Sequence, residues 1–159
     1  MFGQVSYDVE VDVSASNAWK LYGTLQLAMV MEEGPSPLLE KFELIEGDGG
    51  VGTVIKLIFA PGKGPASVTD KFTKIDNEKR IKEVEVIEGG VLDMGYNQYR
   101  FCFEIIEIDK NSCLIKSKIM YDVNEEIAQT ASAIPSKQLE AIAEVAINYL
   151  IKMKNPSVD

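Results

Sequence analysis

Val5, Tyr7, Val9 and Val11 alternate with Ser6, Asp8, Glu10 and Asp12, and this alternation predicts a half-buried strand at the start of the chain. Ser14 follows as a candidate N-cap for a short helix carrying Trp19. A second short helix is expected from Leu25 to Glu32, ended by Gly34-Pro35-Ser36-Pro37. From Lys41 the pattern is β. Phe42 and Leu44 mark one strand and Val51–Phe59 another, joined by Gly47-Asp48-Gly49-Gly50. A Pro/Gly break precedes Ala66–Ile75, the turn Asp76-Asn77-Glu78-Lys79 precedes Arg80–Ile87, and Gly89-Gly90 breaks the chain again. Tyr99, Phe101, Phe103 and Ile105 alternate with Gln98, Arg100, Cys102 and Glu104, the cleanest strand signal in the chain. Asp109-Lys110-Asn111 turns that strand into Ser112–Val123.

The last segment changes period. Asn124 is a candidate cap, and Glu125 and Glu126 suit the positive end of a helix dipole. Ile127, Ala131, Ile134, Leu139, Ile142, Ala143, Ala146 and Leu150 then recur at helical spacing. Pro135 predicts a break or kink in this helix, and the tail Lys154–Asp159 is expected to be loose. The order is strand, two short helices, six strands and a long helix. Short turns make the strands an antiparallel meander, and the amphipathic helix must bury its stripe against it, an α+β arrangement. A strongly curved sheet around one helix leaves room for a cavity between them.

A length of 159 residues fits one domain over 1–159, and 46% apolar with 26% charged residues is an ordinary globular balance. The net charge of -9 opposes nucleic-acid binding and docking on anionic lipid, both of which call for a basic face. The starting segment alternates and reads as a strand rather than a signal peptide, and no run reaches membrane-spanning length. Cys102 and Cys113 read as free thiols, as in a cytoplasmic protein. There is no histidine, so the commonest general base and metal ligand are missing. Acid–base chemistry would fall to Asp, Glu, Lys or Tyr. No metal or cofactor is expected, since the two cysteines lack metal spacing.

Gly47–Thr53 is glycine-rich, but no phosphate-loop Lys follows and its flanks read as strands, so a tight hairpin is the better reading. Asp70 lies between Val68 and Phe72 on one strand face, where a carboxylate is costly unless paired; Lys82 is its candidate partner. Pairing Ile75 with Arg80 would put the two on opposite faces. They share a face only if the loop differs by one residue or a bulge intervenes. Both pointing into water is the equal alternative. Tyr99, Phe101 and Phe103 read as core before ligand cage. Met29, Met31, Met94 and Met120 offer soft apolar surface for a cavity or for gap filling. Glu32-Glu33 reads as a solvated helix end.

The Gly47–Thr53 loop resembles that of the pathogenesis-related class ten family, which includes the birch pollen major allergen. Ser14–Trp19, Asp76–Glu78, Ile87–Gly95 and Ser112–Ser117 resemble its norcoclaurine synthase branch, and the similarity runs over nearly the whole chain. The resemblance implies a helix-grip (START-like) fold: a curved seven-stranded antiparallel sheet gripping a long C-terminal helix, two short helices closing one end, and an internal apolar cavity. It implies a small hydrophobic plant metabolite as partner, of alkaloid type. The synthase branch condenses a dopamine-type amine with an aldehyde through a lysine, a glutamate, a tyrosine and an aspartate. Lys82 matches the lysine position; the glutamate position holds Asp70, the tyrosine position Val68 and the aspartate position Phe101. Members of the broad family also include a neopinone isomerase and a thebaine synthase.

Three functions follow as expectations. The first is a proton-shift isomerase with Asp70 as base, Lys82 as acid or electrostatic stabiliser, and Tyr99 donating to an oxygen. In it Val68, Phe72, Phe101, Phe103 and Ile142 shape the pocket. The second is a carrier without turnover, and the third a residual condensation. A monomer or a homodimer is equally compatible with the chain.

Overall fold

The computed structural model describes residues 1–34 and 36–155; Pro35 of the expected helix terminator and residues 156–159 of the expected tail lie outside them. The elements are β1 (Phe2–Val11), α1 (Ala15–Tyr22), α2 (Gln26–Glu32), β2 (Leu39–Glu46), β3 (Val54–Phe59), β4 (Ser67–Asp76), β5 (Ile81–Gly89), β6 (Tyr96–Asp109), β7 (Ser112–Val123) and α3 (Ala133–Lys154). The strands form one seven-stranded antiparallel sheet in the order β1-β7-β6-β5-β4-β3-β2. β2 to β7 is a plain meander. α1 and α2 carry the chain from the β1 edge across to the β2 edge. The side chain of Ser14 caps α1 by accepting from the Asn17 amide at 3.1 Å. Register shifts within β2–β3, β4–β5 and β6–β7 bend the strands, which curves the sheet around α3. No helix among the described residues is long and apolar enough to cross a membrane.

One shift decides the chemistry. Asp76 pairs with Ile81 and Lys74 with Glu83, but Phe72 pairs with Val84 and Asp70 with Val86. Thr73 is the extra residue of a bulge. Without it, Asp70 would sit opposite Ile87 and face away from Lys82. With it, Asp70, Phe72, Lys82, Val84 and Val86 all share the concave face. This is the bulge the sequence left open. The turn itself is fixed by Asp76, whose side chain accepts from the Glu78 and Lys79 amides, and by Arg80 at φ 52.

Several expectations are corrected. The strand expected from Val51 begins at Val54. Val51 is exposed, and residues 47–53 form a loop longer than a tight hairpin, held to β4 because the Gly52 amide donates to the Phe72 carbonyl and the Phe72 amide to the Thr53 carbonyl. The long helix does not start at Asn124: Glu125–Ile127 is a separate 3-10 turn, and Asn124 makes no side-chain cap bond. The helical pattern is interrupted just ahead of Pro135, which sits in the first turn of α3, where an amide proton has no helical partner to lose. Glu32 is also no solvated end, because its carboxylate accepts from the Phe42 amide at 3.2 Å.

Gly47 has φ 89, and a Cβ there would lie 2.7 Å from the Thr53 Cα. Gly47→Ala therefore combines backbone strain with a backbone clash. A loss of about 1–3 kcal/mol is expected, read from the shift of the urea midpoint at unchanged slope.

Candidate active site

α3 carries two adjacent stripes. Leu139, Ala143, Ala146 and Leu150 are buried in the core. Gln138, Ile142, Val145 and Tyr149, each one residue earlier, face a cavity of about 780 Å³ beneath the helix. The sheet supplies its other wall through Val68, Asp70 and Phe72 of β4, Lys82, Val84 and Val86 of β5, and Tyr99, Phe101 and Phe103 of β6. Such a volume suits a drug-sized ligand. All eight residues singled out from sequence (Asp70, Lys82, Tyr99, Val68, Phe72, Phe101, Phe103 and Ile142) lie on this one cavity. The aromatic stripe proves to be core and wall at once. Tyr99 and Phe103 are buried, Phe101 stacks on Phe103 with centroids 6.0 Å apart, and Phe103 packs on Tyr22 of α1.

Asp70 and Lys82 do not point into water; they are 6% and 3% exposed. The Lys82 ammonium donates to the Thr24 carbonyl at 3.1 Å and lies 3.7 Å from the centre of the Phe72 ring. Thr24 belongs to the junction of α1 and α2, so Lys82 ties that end cap to the sheet. Asp70 has no such support: its Oδ1 is buried without a hydrogen-bond partner, and the two residues form no direct ion pair among the described residues. Burial pushes the Asp70 carboxyl up to about 7, with Lys82 pulling the other way. Burial lowers the Lys82 ammonium to about 7, with Asp70 opposing. A carboxyl and an amine that both exchange protons near neutrality thus share one apolar wall.

The Tyr99 hydroxyl donates to Gln138 Oε1 at 2.5 Å, and burial holds the phenol far above its usual range. Of the four methionines, only Met31 lines the cavity. Met29 and Met94 are exposed, and Met120 pairs with Arg100 on the outer face of the sheet. Val68 and Phe101 add only apolar surface. Thr24 and Gln138 had no sequence signal as site residues. One acts through its backbone, and the other is a polar position beside the core stripe of α3.

A curved antiparallel sheet closed by one long helix over a large, mostly apolar cavity defines a ligand-binding helix-grip protein. The chain belongs to the pathogenesis-related protein Bet v 1 family, whose profile matches residues 1–149. It is 42% identical over 153 residues to S-norcoclaurine synthase 2 of Papaver somniferum, covering 95% of this chain and 66% of that one. It is 38% identical over 156 residues to norbelladine synthase of Narcissus pseudonarcissus, covering 98% of this chain and 96% of that one. Thalictrum flavum norcoclaurine synthase, solved with dopamine and hydroxybenzaldehyde, superposes with a TM-score of 0.83 at 34% identity, over 99% of this chain and 90% of that one. The chain spans just under two thirds of the length of the poppy relative.

Proposed function

We propose that the chain is a cofactor-independent enzyme of alkaloid metabolism that shifts a proton within one hydrophobic substrate. The observation that carries this reading is the unpartnered, buried Asp70 carboxyl on the same apolar face as Lys82. A base held near neutrality removes a proton most effectively at working pH. In the scheme, Asp70 takes a proton from a carbon beside a carbonyl, and the C–H electrons pass into an enolate. Lys82 stabilises that negative charge, and the proton returns to a different carbon, moving the double bond at constant mass. Val68 and Phe101 make the walls around the pair apolar, which favours a single fused-ring substrate over two separately held polar ones.

The second reading is condensation of an amine with an aldehyde. It is favoured by the likeness to norcoclaurine and norbelladine synthases over nearly the whole chain, and it is compatible with an amine and a carboxyl, Lys82 and Asp70, on the cavity wall.

Mass spectrometry with a panel of benzylisoquinoline and morphinan ketones, beside a dopamine-plus-aldehyde arm, tests both readings. The expected result is a product of unchanged mass and shifted retention, reduced about 100-fold or more in Asp70→Asn. A product lighter than its two substrates by one water would establish condensation instead. Ligands retained with no product in either arm would leave the protein a carrier.

A further inference from the structure

Besides Asp70 and Lys82, the cavity wall carries a second polar station that the proposed chemistry has not used. Tyr99 on β6 and Gln138 on α3 meet at the cavity wall, where one hydrogen bond joins sheet to helix. Between them they own three donor protons: the phenol O–H and the two amide N–H. One is spent on their mutual bond, and neither side chain makes another hydrogen bond among the described residues. Turning the amide over leaves the same sum, with Gln138 then donating to the phenol oxygen. Two donors therefore remain, on a pair whose two side chains both line the cavity.

Sheet register fixes how far this station lies from Asp70. Asp70 is opposite Val86, and Glu85 is opposite Arg100, so Val86 and Tyr99 are level one step further along. Asp70, Val86 and Tyr99 form one row across β4, β5 and β6. Two strand spacings put the Cα atoms of Asp70 and Tyr99 about 10 Å apart, and side chains rising from a concave face narrow that gap to the width of a fused-ring skeleton. We propose that Gln138, held in place by Tyr99, donates to an acceptor oxygen of the ligand, a carbonyl or ether oxygen, while the opposite edge of the ligand rests at Asp70. The oxygen read by Gln138 is distinct from the carbonyl whose enolate charge Lys82 stabilises in the proton-shift reading: it lies at the far edge of the ligand and serves to orient it. The oxygen-reading itself belongs to binding and holds for a carrier too.

A binding test keeps the two apart. Fluorenone and fluorene share a fused-ring shape and differ in one carbonyl oxygen. The wild-type protein is expected to bind fluorenone roughly five- to tenfold more tightly, the worth of one net hydrogen bond. The carbonyl stretch of bound fluorenone is expected below its frequency in hexane. Gln138→Leu is expected to erase both the preference and the frequency shift while keeping the affinity for fluorene, which also reports an intact cavity. Gln138→Glu, which offers acceptors in place of donors, is expected to do the same. Tyr99→Phe frees the amide and is expected to weaken the preference about two- to threefold. Equal binding of both probes by the wild-type protein overturns the proposal. So does a preference that survives Gln138→Leu and disappears in Lys82→Met, because the donor would then be the ammonium.

Discussion

Lys82→Met is expected to lower turnover of an accepted substrate by about 100-fold or more while the protein stays folded. The side chain lies in an apolar cleft, and methionine fills nearly the same length with no group to desolvate. What is lost is one hydrogen bond to the Thr24 carbonyl and one stacking contact with Phe72, each worth about 1 kcal/mol. What is gained is release from burying an amine whose ordinary state is charged. The pH profile gives the sharper signature. In the wild-type protein, the acid limb reports ionisation of the carboxyl and the alkaline limb loss of the ammonium proton; both values belong to the pair. Since both groups lie near 7, the bell is narrow and centred near neutrality. Lys82 pulls the Asp70 carboxyl down, so removing it raises that carboxyl further. Residual activity should therefore keep rising above pH 7, with no alkaline limb. Lys82→Arg keeps a charge that does not titrate in this range and should also lose the alkaline limb. A Lys82→Met enzyme with wild-type rate and an unmoved bell would remove Lys82 from the mechanism.

Periodicity carried most of the architecture, because strands and helices announce themselves through which residues face the core. Tyr99, Phe101, Phe103 and Ile105 alternate in sequence, and all four pack inward from β6. Where the pattern failed, a local backbone preference had been outweighed. Asn124, Glu125 and Glu126 look like a helix start, but the chain first makes a 3-10 turn. The next helix begins beyond Ala131, which is buried with its carbonyl accepting from the Tyr96 hydroxyl at 2.6 Å. That bond joins positions 35 residues apart and leaves no local trace. The site follows the same division. Asp70 and Lys82 stood out as charged residues in apolar surroundings. Whether they met depended on a single extra residue at Thr73, and a one-residue slip changes which face every later side chain takes. Thr24 contributes a carbonyl, which every residue possesses. Gln138 differs from any surface glutamine only by what faces it.

The double variant Asp70→Leu/Lys82→Met is expected to abolish turnover and to be more stable than the wild-type protein by about 1–4 kcal/mol near pH 7, as found when apolar groups replace buried ionic ones. The pH dependence of that gain follows from the direction of each shift. The Asp70 carboxyl has a folded value near 7, above its unfolded one near 4. The folded state holds its proton longer, so the group destabilises progressively as pH rises from about 4 to about 7 and by a constant amount above. The Lys82 ammonium has a folded value near 7, below its unfolded one near 10.5. Its destabilisation is full below about 7 and fades as pH rises towards about 10.5, where the unfolded state also gives up the proton. The two costs overlap around neutrality, the pH at which both groups are poised to exchange protons. The stability gained by the double variant should therefore peak near pH 7 and shrink towards both pH 4 and pH 10. Urea unfolding of both proteins at these three values reads it directly. A gain that is flat across the range would mean that neither group titrates differently on folding. Loss of stability at pH 7 would mean that the pair is held by bonds strong enough to outweigh its burial. Either result would undercut the use of these two side chains as a neutral-pH acid and base. The gain expected here would show that the fold keeps them at a cost in stability, which is the relation a catalytic pair has to the core that surrounds it.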